Sequence, residues 1–495
     1  MESGLIKVIS QDVVKQDRTS KRGEVAGEAI HNVECADQDV GLSRQGNMDH
    51  FFAASSALII AALLEISILY YLMASIFLAL NGNTAMFLRN ASLGYFGFVA
   101  AIYLVLFAAS STFSSHGIVA ASPTYNVVNY GATGSGDDDD AQAFVKAWED
   151  TCGDSGEKGT PTLAVPGGKK FRLSPVAFKG PCKSSSINVQ IDGTLVAPSS
   201  LSGWKGCSSG RWLNFQDVAN LNVKGSGQVD GQGSLWWDGA KGGCEKRPTA
   251  LGFLNCINLV LSGLHHVNSP RNHISIINCH NGIISNLHIT APESSPNTDG
   301  IDISRSNNLD IHDLDIQTGD DCIAINGGSS NISITRVSCG PGHGISIGSL
   351  GKNGAYKTVE QVQVRDCTFR GTTNGVRIKT WQGGSGYAKN IIFNQIKLDA
   401  VSNPIIIDQF YNPGGAQLNE ASSVVVSDVS FTSIRGTSAS DQAITLSCSS
   451  VGCSDITFDN VDITSSKPGD TVTASCENCH GSATLTTPPV PCLNH

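Results

Sequence analysis

Short apolar units recur at a nearly constant interval through the second half of the sequence, and this repetition constrains the fold more than any other feature. Asn258, Asn281, Asn308 and Asn331 mark equivalent positions in four successive units. Each unit has apolar residues at alternate positions, is broken by Gly, Asn or Ser, and lacks helical periodicity. Repeats of about 25 residues are typical of solenoids. Since one unit cannot bury its apolar face alone, the sequence predicts an all-β parallel β-helix of stacked coils with a continuous core.

Two details of the repeat bear on this prediction. The recurring asparagines either hydrogen-bond to the next coil or are ordinary turn residues, and the pattern alone does not choose between these roles. A leucine-rich repeat is the competing solenoid, but its asparagine-leucine spacing is absent. Well before the repeats, residues 134–152 resemble an acidic turn followed by one amphipathic helix. We expect Asp140 to cap this helix, and its apolar face to close the open end of the core.

The composition agrees with a β-rich chain and argues against one class of partner. Glycine is abundant, with 53 residues, methionine is scarce, with 4, and only 15% of the residues are charged. This composition favours strands and turns over helices. The formal net charge is −10 and the isoelectric point is near 5.6. Since binding phosphates requires a basic face, nucleic acid is not an expected partner.

The cysteines predict disulfides rather than a metal site. Fourteen of the 15 cysteines lie at or beyond Cys152, which fits an oxidising compartment. The pairs Cys322 with Cys339 and Cys448 with Cys453 are close enough in sequence for local bridges. The CxxC motif at 476–479 has no second pair at zinc-ligand spacing, so no metal is expected there.

The amino-terminal part of the sequence differs in character from the repeats. The stretch 51–80 is long and apolar enough to span a bilayer, with only Glu65 interrupting it. From Met86 onward, the layout is that of a secretory signal peptide. Two spans would return the cysteine-rich body to a reducing cytosol, so we favour Met86 as the working start and a secreted protein; the rival is a membrane anchor at 51–80. The prediction has four parts: a disordered or gene-model extension at 1–50, a hydrophobic segment at 51–85, a signal peptide region at 86–121 and a β-helix catalytic domain at 122–495.

Polar clusters interrupt the repeats at intervals close to the coil step. The steps from Asp299 to Asp320 and from Asp320 to His343 are each close to one repeat unit. Residues one coil apart stack about 4.8 Å apart, so these groups are predicted to share one face. Arg377 lies farther beyond His343 than one unit, which fits one further coil if 348–360 form a lateral excursion. The pair of aspartates in "TGDDCIAIN" is then the start of a strand rather than its interior.

This combination of groups suggests chemistry on an acidic sugar polymer. Arg377 and Lys379 are two residues apart in a strand, so both project to the same side. Paired carboxylates can supply the acid and the base that cleave a glycosidic bond, since like charges raise one another's proton affinity. Nearby cations can hold a substrate carboxylate, and arginine can do so through two hydrogen bonds.

At these residues the sequence is similar to a known family. The similarity covers about residues 124–495, from "YNVVNYGATG" to the terminal cysteines, and has the character of a plant member. The order and context of the motifs make the resemblance specific. Four motifs resemble the signatures of polygalacturonases, glycoside hydrolase family 28: Asn297-Thr298-Asp299, Gly319-Asp320-Asp321, Gly342-His343-Gly344 and Arg377-Ile378-Lys379.

The resemblance implies a fold and a reaction. The fold is a single-stranded right-handed parallel β-helix, and the reaction is inverting hydrolysis of the α-1,4 links of galacturonan without metal or cofactor. Asp320 is then the expected general acid, while Asp299 and Asp321 position and deprotonate water. His343 is expected beside the acid, where it tunes the acid's proton affinity.

The resemblance also implies how the substrate is held and where the protein acts. Arg377 and Lys379 are expected to grip a galacturonate carboxylate, Asn297 to line the cleft, and Tyr411 to contact the sugar. Asn412 stands where many plant members have a cysteine, which puts a local disulfide in doubt. The expected partner is cell-wall pectin, the expected state is a secreted monomer, and membrane contact is expected only if 51–80 is an anchor.

Three other functions stay open at this stage. A non-catalytic pectin-binding β-helix predicts that a motif residue is lost, and none is. A pectate lyase of the same architecture requires calcium and a catalytic base. A rhamnogalacturonan hydrolase has related chemistry, and the sequence leaves the substrate backbone, methylester tolerance and endo or exo action undecided.

Overall fold

The computed structural model describes Met73 and residues 122–493, with gaps at 206–209, 240–243, 245, 414–419 and 421–422. The chain divides into one compact unit at 1–117 and another at 118–495, and the description that follows concerns the second. The predicted extension, hydrophobic segment and signal peptide region, at 1–50, 51–85 and 86–121, lie outside the described residues. Within the described residues, no helix has both the length and the apolar character needed to cross a membrane.

The described residues between 122 and 493 form the predicted parallel β-helix, and every strand pairing among them is parallel. Parallel crossovers of this kind are right-handed. One sheet, which we call the groove sheet, carries the polar clusters. Its eleven strands are Val176–Lys179, Arg211–Gln216, Thr249–Leu254, Ile274–Ile277, Ile301–Ser304, Ile323–Ile325, Ile345–Leu350, Asn374–Thr380, Asn403–Asp408, Gln442–Ser447 and Thr473–Glu477.

The remaining strands form one continuous sheet around the other sides of the coils, which we call the outer sheet. Its 21 described strands are Thr124–Asn126, Ser135–Asp139, Thr162–Val165, Lys170–Arg172, Ile187–Ile191, Thr194–Val196, Leu221–Lys224, Gln228–Asp230, Val260–Ser262, His265–Val267, His280–Ser285, His288–Thr290, Asn307–Gln317, Ser329–Cys339, Tyr356–Arg365, Thr368–Arg370, Ser385–Asn394, Lys397–Val401, Ser423–Ser438, Cys453–Ser465 and Cys479–Thr487.

Helical segments are few and short among the described residues. The α-helices are Ala141–Gly153 and Ser234–Trp237. The 3₁₀ turns are Val127–Tyr130, Leu201–Gly203, Lys352–Gly354 and Pro491–Leu493.

The core is a stack of inward-facing side chains from successive coils. Ile274, Ile301, Ile323 and Ile345 pair in register along the groove sheet, and all four are fully buried. The β-branched side chain of isoleucine suits the half-buried, pleated surface of a strand. Alternate apolar positions therefore become one continuous core, as the repeat predicted.

The recurring asparagines form a hydrogen-bonded ladder, which resolves their role. The Nδ2 of Asn258 donates to Oδ1 of Asn220 at 2.7 Å, and the same bond links Asn281 to Asn258, Asn308 to Asn281 and Asn331 to Asn308 at 2.7–3.2 Å. All five have positive φ, between 51° and 59°. Asparagine tolerates this left-handed conformation, so each one turns the chain and bonds to its neighbouring coil.

The predicted capping helix is present at Ala141–Gly153, although its amino-terminal cap differs from the prediction. Trp148 packs edge-on against Phe178, with ring centroids 5.4 Å apart, and closes the end of the core. Asp140 does not cap the helix through its side chain, because its carboxylate accepts hydrogen bonds from the backbone N–H groups of the preceding turn. Asp139 instead accepts from the N–H of Ala141 at 3.2 Å.

The predicted local disulfides are present, and the CxxC motif is divided between two environments. Cys322 is bonded to Cys339, and Cys448 to Cys453. In the CxxC motif, Cys476 bonds to Cys492, while Cys479 is a buried free thiol. The Cys322–Cys339 bridge begins one residue after Asp321. It ties the start of the strand Ile323–Ile325 to the next coil.

Candidate active site

The two adjacent aspartates stand immediately before a strand. The strand Ile323–Ile325 begins two residues after Asp321, so "TGDDCIAIN" is a strand start, as predicted. Gly319 is required by the space around it rather than by its backbone conformation, since its φ is not in the left-handed region. A Cβ on Gly319 would lie 2.0 Å from the backbone oxygen of Ser295. The close approach of these two backbone segments excludes any larger residue.

Three of the predicted site residues occupy equivalent positions in successive coils. Asp299, Asp321 and His343 each stand two residues before strands that pair with one another in register. The spacing of the motifs predicted Asp320 in this column, but Asp321 occupies that position and Asp320 precedes it by one residue. The sequence therefore predicted the shared face, but the hydrogen-bond register decides which aspartate is in line.

Asp320 is held by three neighbours at the edge of the groove. Asn297 Nδ2 donates to its Oδ2 at 3.1 Å, and the backbone N–H of Asp321 donates to its Oδ1 at 2.8 Å. His343 Nδ1 lies 2.9 Å from the same Oδ1. The Asp320 side chain is 18% exposed, so one edge of the carboxyl still faces the groove.

Asp321 is buried and is bound by two cations and a hydroxyl. Arg377 Nη2 donates to Oδ1 at 2.6 Å, and Lys379 Nζ donates to Oδ2 at 2.7 Å. Ser346 Oγ donates to Oδ1 at 2.9 Å, and Arg377 Nε donates to Ser346 at 3.0 Å. We call these four residues the Asp321 clamp. The two cations of the "RIK" motif are therefore bonded to a carboxylate of the protein itself.

The groove carboxylates differ in where they favour a proton. Burial, followed by the charges of Asp302, Asp320 and Asp321, raises the pKa of Asp299 well above its ordinary value. Burial also raises the pKa of Asp320, but His343, the backbone N–H of Asp321 and the charge of Lys379 together outweigh burial and leave the Asp320 pKa below its ordinary value. In the unliganded protein, the proton is therefore favoured on Asp299 rather than on Asp320.

Tyr411 and Asn297 both line the same groove, which has a volume of about 500 Å³. The ring of Tyr411 packs edge-on against Trp381, with centroids 5.5 Å apart, and lies 5.2 Å from Lys379 Nζ. Tyr411 thus presents an aromatic surface beside the Asp321 clamp. The structure brings all eight predicted site residues together in this groove, seven from the four motifs and Tyr411 from beyond them.

Comparison with known proteins identifies the family of this chain. The sequence profile described as "Glycosyl hydrolases family 28" matches residues 152–487. The chain belongs to glycosyl hydrolase family 28. It is therefore a glycoside hydrolase.

Relatives of this family-28 chain include plant proteins of similar length. It is 50% identical over 382 residues to a protein of Arabidopsis thaliana named "Probable polygalacturonase", which covers 76% of this chain and 82% of the relative. It is 44% identical over 360 residues to a protein of Persea americana named "Polygalacturonase", which covers 71% and 76%.

Solved structures share the fold of this family-28 chain. A polygalacturonase from Erwinia carotovora aligns with a TM-score of 0.58 and 21% identity, covering 73% of this chain and 97% of the other. An endo-xylogalacturonan hydrolase from Aspergillus tubingensis aligns with a TM-score of 0.62 and 24% identity, covering 73% and 100%. At these identities the likeness shows the architecture alone.

Two further groove residues lie outside the four motifs but share a position in the coil register. Asp302 and Ser346 occupy the same ladder of the groove sheet as Arg377, linked through Ala324. Their side chains therefore face the groove together. Knowing the strand register, and not only the coil length, would have identified both residues.

Three side chains of this site form a cluster of the kind that binds cations. Asp320, Asp321 and His343 offer ligand atoms within 4.8 Å of one another. However, Lys379 and Arg377 already occupy both oxygens of Asp321. The protein's own cations thus supply the positive charge that a divalent ion would bring to this carboxylate.

Replacing Asp302 should change how stability depends on pH. Burial raises the pKa of Asp302 to about 7, with further raising by Asp321 and Asp320 and an opposing effect of Arg271. An aspartate in the unfolded chain has a pKa of about 4, so between pH about 4 and about 7 it is ionised in the unfolded protein but still protonated in the folded one. The folded protein therefore loses stability as pH rises through this range. The Asp302→Asn variant has no carboxyl at this position and lacks this loss. The Tm of the variant minus that of the wild type should therefore increase as pH rises across this range.

Thermal unfolding at one scan rate and several pH values measures this effect. Asp310→Asn, which removes a carboxylate from the outer sheet, is the matched control. A Tm difference between Asp302→Asn and the wild type that is constant from acid to neutral pH would refute the expectation.

Proposed function

We propose that the protein hydrolyses the α-1,4-galacturonosyl links of pectic homogalacturonan. The observation that carries the proposal is the convergence of three carboxylates, a histidine and the two "RIK" cations in one groove. An acid and a base are what glycoside hydrolysis requires, and cations suit a polymer that bears a carboxylate on every sugar. The relatives named polygalacturonase support the same substrate.

In the proposed mechanism, Asp320 gives its proton to the glycosidic oxygen as the bond from that oxygen to the anomeric carbon breaks. Water attacks the anomeric carbon from the opposite face, and one of its protons passes to Asp299 or Asp321. The attack inverts the configuration at the anomeric carbon. No covalent sugar–enzyme intermediate forms.

This mechanism requires the proton to be on Asp320 when the sugar is bound, whereas the unliganded site favours it on Asp299. A bound sugar removes water from Asp320, and burial is already the largest influence on its pKa. Once Asp320 is neutral, Asp299 loses a negative neighbour that raises its pKa. The two carboxyls titrate as a coupled pair, so protonation of one favours ionisation of the other.

The Asp321 clamp has a double role in this proposal. Arg377 uses Nε and Nη2 for Ser346 and Asp321, and its Nη1 has no hydrogen-bond partner within the described part of the chain. That nitrogen is then available for a galacturonate carboxylate, while Lys379 holds Asp321 in place. Asn297 positions Asp320, and Tyr411 offers a face on which a sugar ring can pack.

Digestion of polygalacturonate by the purified protein tests the proposal. We expect reducing ends to accumulate in the presence of excess chelator, without the ultraviolet absorbance of unsaturated uronides. Unsaturated products that depend on calcium would indicate a lyase, and binding without any new reducing ends would indicate a non-catalytic pectin-binding protein. Preference for a rhamnogalacturonan backbone would indicate the related hydrolase.

We also propose that the protein acts outside the cell, in the cell wall. The four described disulfides fit an oxidising compartment. Mapping the amino terminus of the mature protein distinguishes secretion from anchoring through 51–80. A terminus downstream of Met86 supports secretion.

A further inference from the structure

A second group of cations lines the groove on the amino-terminal side of Asp299. These residues belong to coils that precede Asp299 in the groove sheet, and none lies in the four motifs. They are Arg211, Lys246, Arg247 and Arg271.

These cations differ from the "RIK" pair in what they contact. Arg377 and Lys379 are bonded to Asp321, whereas none of the four lies within 4.0 Å of a carboxylate oxygen among the residues that the structure describes. Arg247 donates to the backbone oxygen of Pro296 at 2.8 Å and to the side-chain oxygen of Asn297, which are neutral acceptors. Arg211 and Arg271 therefore face the groove with charges that no protein carboxylate neutralises by direct contact.

The structure makes room for the side chain of Arg211. Arg211 begins a strand that pairs with the strand containing Gly252, and its side chain crosses the outer face of this glycine. A Cβ on Gly252 would lie 2.2 Å from Cδ of Arg211. The missing side chain thus allows the guanidinium to lean over the next coil, and burial there lowers the pKa of Arg211.

Arg271 stands closer to the catalytic carboxylates. It precedes the strand Ile274–Ile277, which pairs directly with the strand that carries Asp302. The exposed side chain of Arg271 lines the groove and opposes the rise of the Asp302 pKa through its charge. Arg211 lies on a strand three coil steps from that of Asp302, or roughly 14 Å at the usual strand spacing. Arg211 and Arg271 thus lie at different distances along the groove from the catalytic carboxylates, about two coil steps apart.

We propose that Arg211 and Arg271 form a carboxylate-binding subsite that selects unesterified galacturonate on the amino-terminal side of the catalytic carboxylates. This inference rests on the proposed function. The guanidinium fork binds a carboxylate through two charge-assisted hydrogen bonds. A methylester removes the charge and weakens this contact, so a pectin esterified at these positions is a poorer substrate.

The test compares Arg271→Gln and Arg211→Gln with the wild type on polygalacturonate and on partly methylesterified pectin. Each substitution should lower kcat/KM on polygalacturonate by about 10-fold or more, mainly through KM. The loss on esterified pectin should be much smaller, so the preference for unesterified substrate falls. Arg370→Gln, which removes an exposed arginine from the outer sheet, is the matched control and should leave this preference unchanged.

A binding measurement separates this inference from the proposed function. Inactive Asp320→Asn protein, with and without Arg271→Gln, is titrated with an oligogalacturonide and with its methylester. The inference expects Arg271→Gln to weaken binding of the acid form selectively. Equal losses for both ligands, or no loss, would overturn the inference even if the wild-type protein hydrolyses polygalacturonate. Selective loss of acid-form binding, in a protein whose wild-type form releases no reducing ends, would overturn the proposed function alone.

Discussion

Replacing Asp320 with asparagine should reduce the release of reducing ends from polygalacturonate by about 1,000-fold, the typical contribution of a general acid. Asparagine keeps the shape of the side chain and can still accept a hydrogen bond from the Asp321 N–H, which donates to Oδ1 at 2.8 Å. It has no acidic proton to give to the leaving oxygen. The loss should therefore appear in kcat, while binding of an oligogalacturonide is largely retained.

Two controls make this result specific. Asp310→Asn removes a carboxylate from the outer sheet and should leave the rate within a factor of about two of the wild type. Circular dichroism and the Tm show whether Asp320→Asn keeps the β-helix. If the folded Asp320→Asn variant has a rate within about 10-fold of the wild type, Asp320 is not the general acid.

Breaking the Asp321 clamp should have the second large effect. Lys379→Met keeps the apolar stem but leaves Oδ2 of Asp321 without its ammonium partner. The two side chains are 8% and 2% exposed, so a buried charge loses half of its direct compensation. We expect a loss of about 3–5 kcal/mol in the free energy of unfolding, together with loss of activity.

An exposed ion pair in the same protein provides the control for the clamp. Lys389 lies 3.4 Å from Glu360, with side chains 39% and 33% exposed. Lys389→Met should cost about 1 kcal/mol or less, because water screens the pair. Urea unfolding of both variants measures the difference, and equal costs would show that burial of Asp321 does not set the strength of the clamp.

The repeat pattern predicted the fold well because it reports a physical necessity. Inward-facing positions such as Ile301 and Ile323 must be apolar in every coil, and positions such as Asn281 must turn the chain. Both requirements recur once per coil, so they are visible in the sequence. The cap at Asp140 could not be predicted in the same way, since four consecutive aspartates offer equivalent oxygens and only the turn geometry selects Asp139.

The motifs brought the right residues to one face, but not their contacts. Spacing cannot show that Arg377 and Lys379 turn toward Asp321, because that depends on the register of three strands. Arg211 was missed since its access to the groove depends on the absent side chain of Gly252, one coil away. Such contacts join residues that are distant in sequence, and the number of residues between the partners differs from one contact to the next.

The stereochemistry of hydrolysis is the decisive test of the proposed mechanism. Proton NMR of the polygalacturonate digestion, recorded within the first minutes, identifies the anomer that forms before mutarotation mixes the two. If Asp320 protonates the leaving oxygen and a carboxylate-bound water attacks from the other face, α-linked substrate gives the β-anomer first. The α-anomer as first product would show retention and contradict the mechanism, and unsaturated signals would contradict hydrolysis itself.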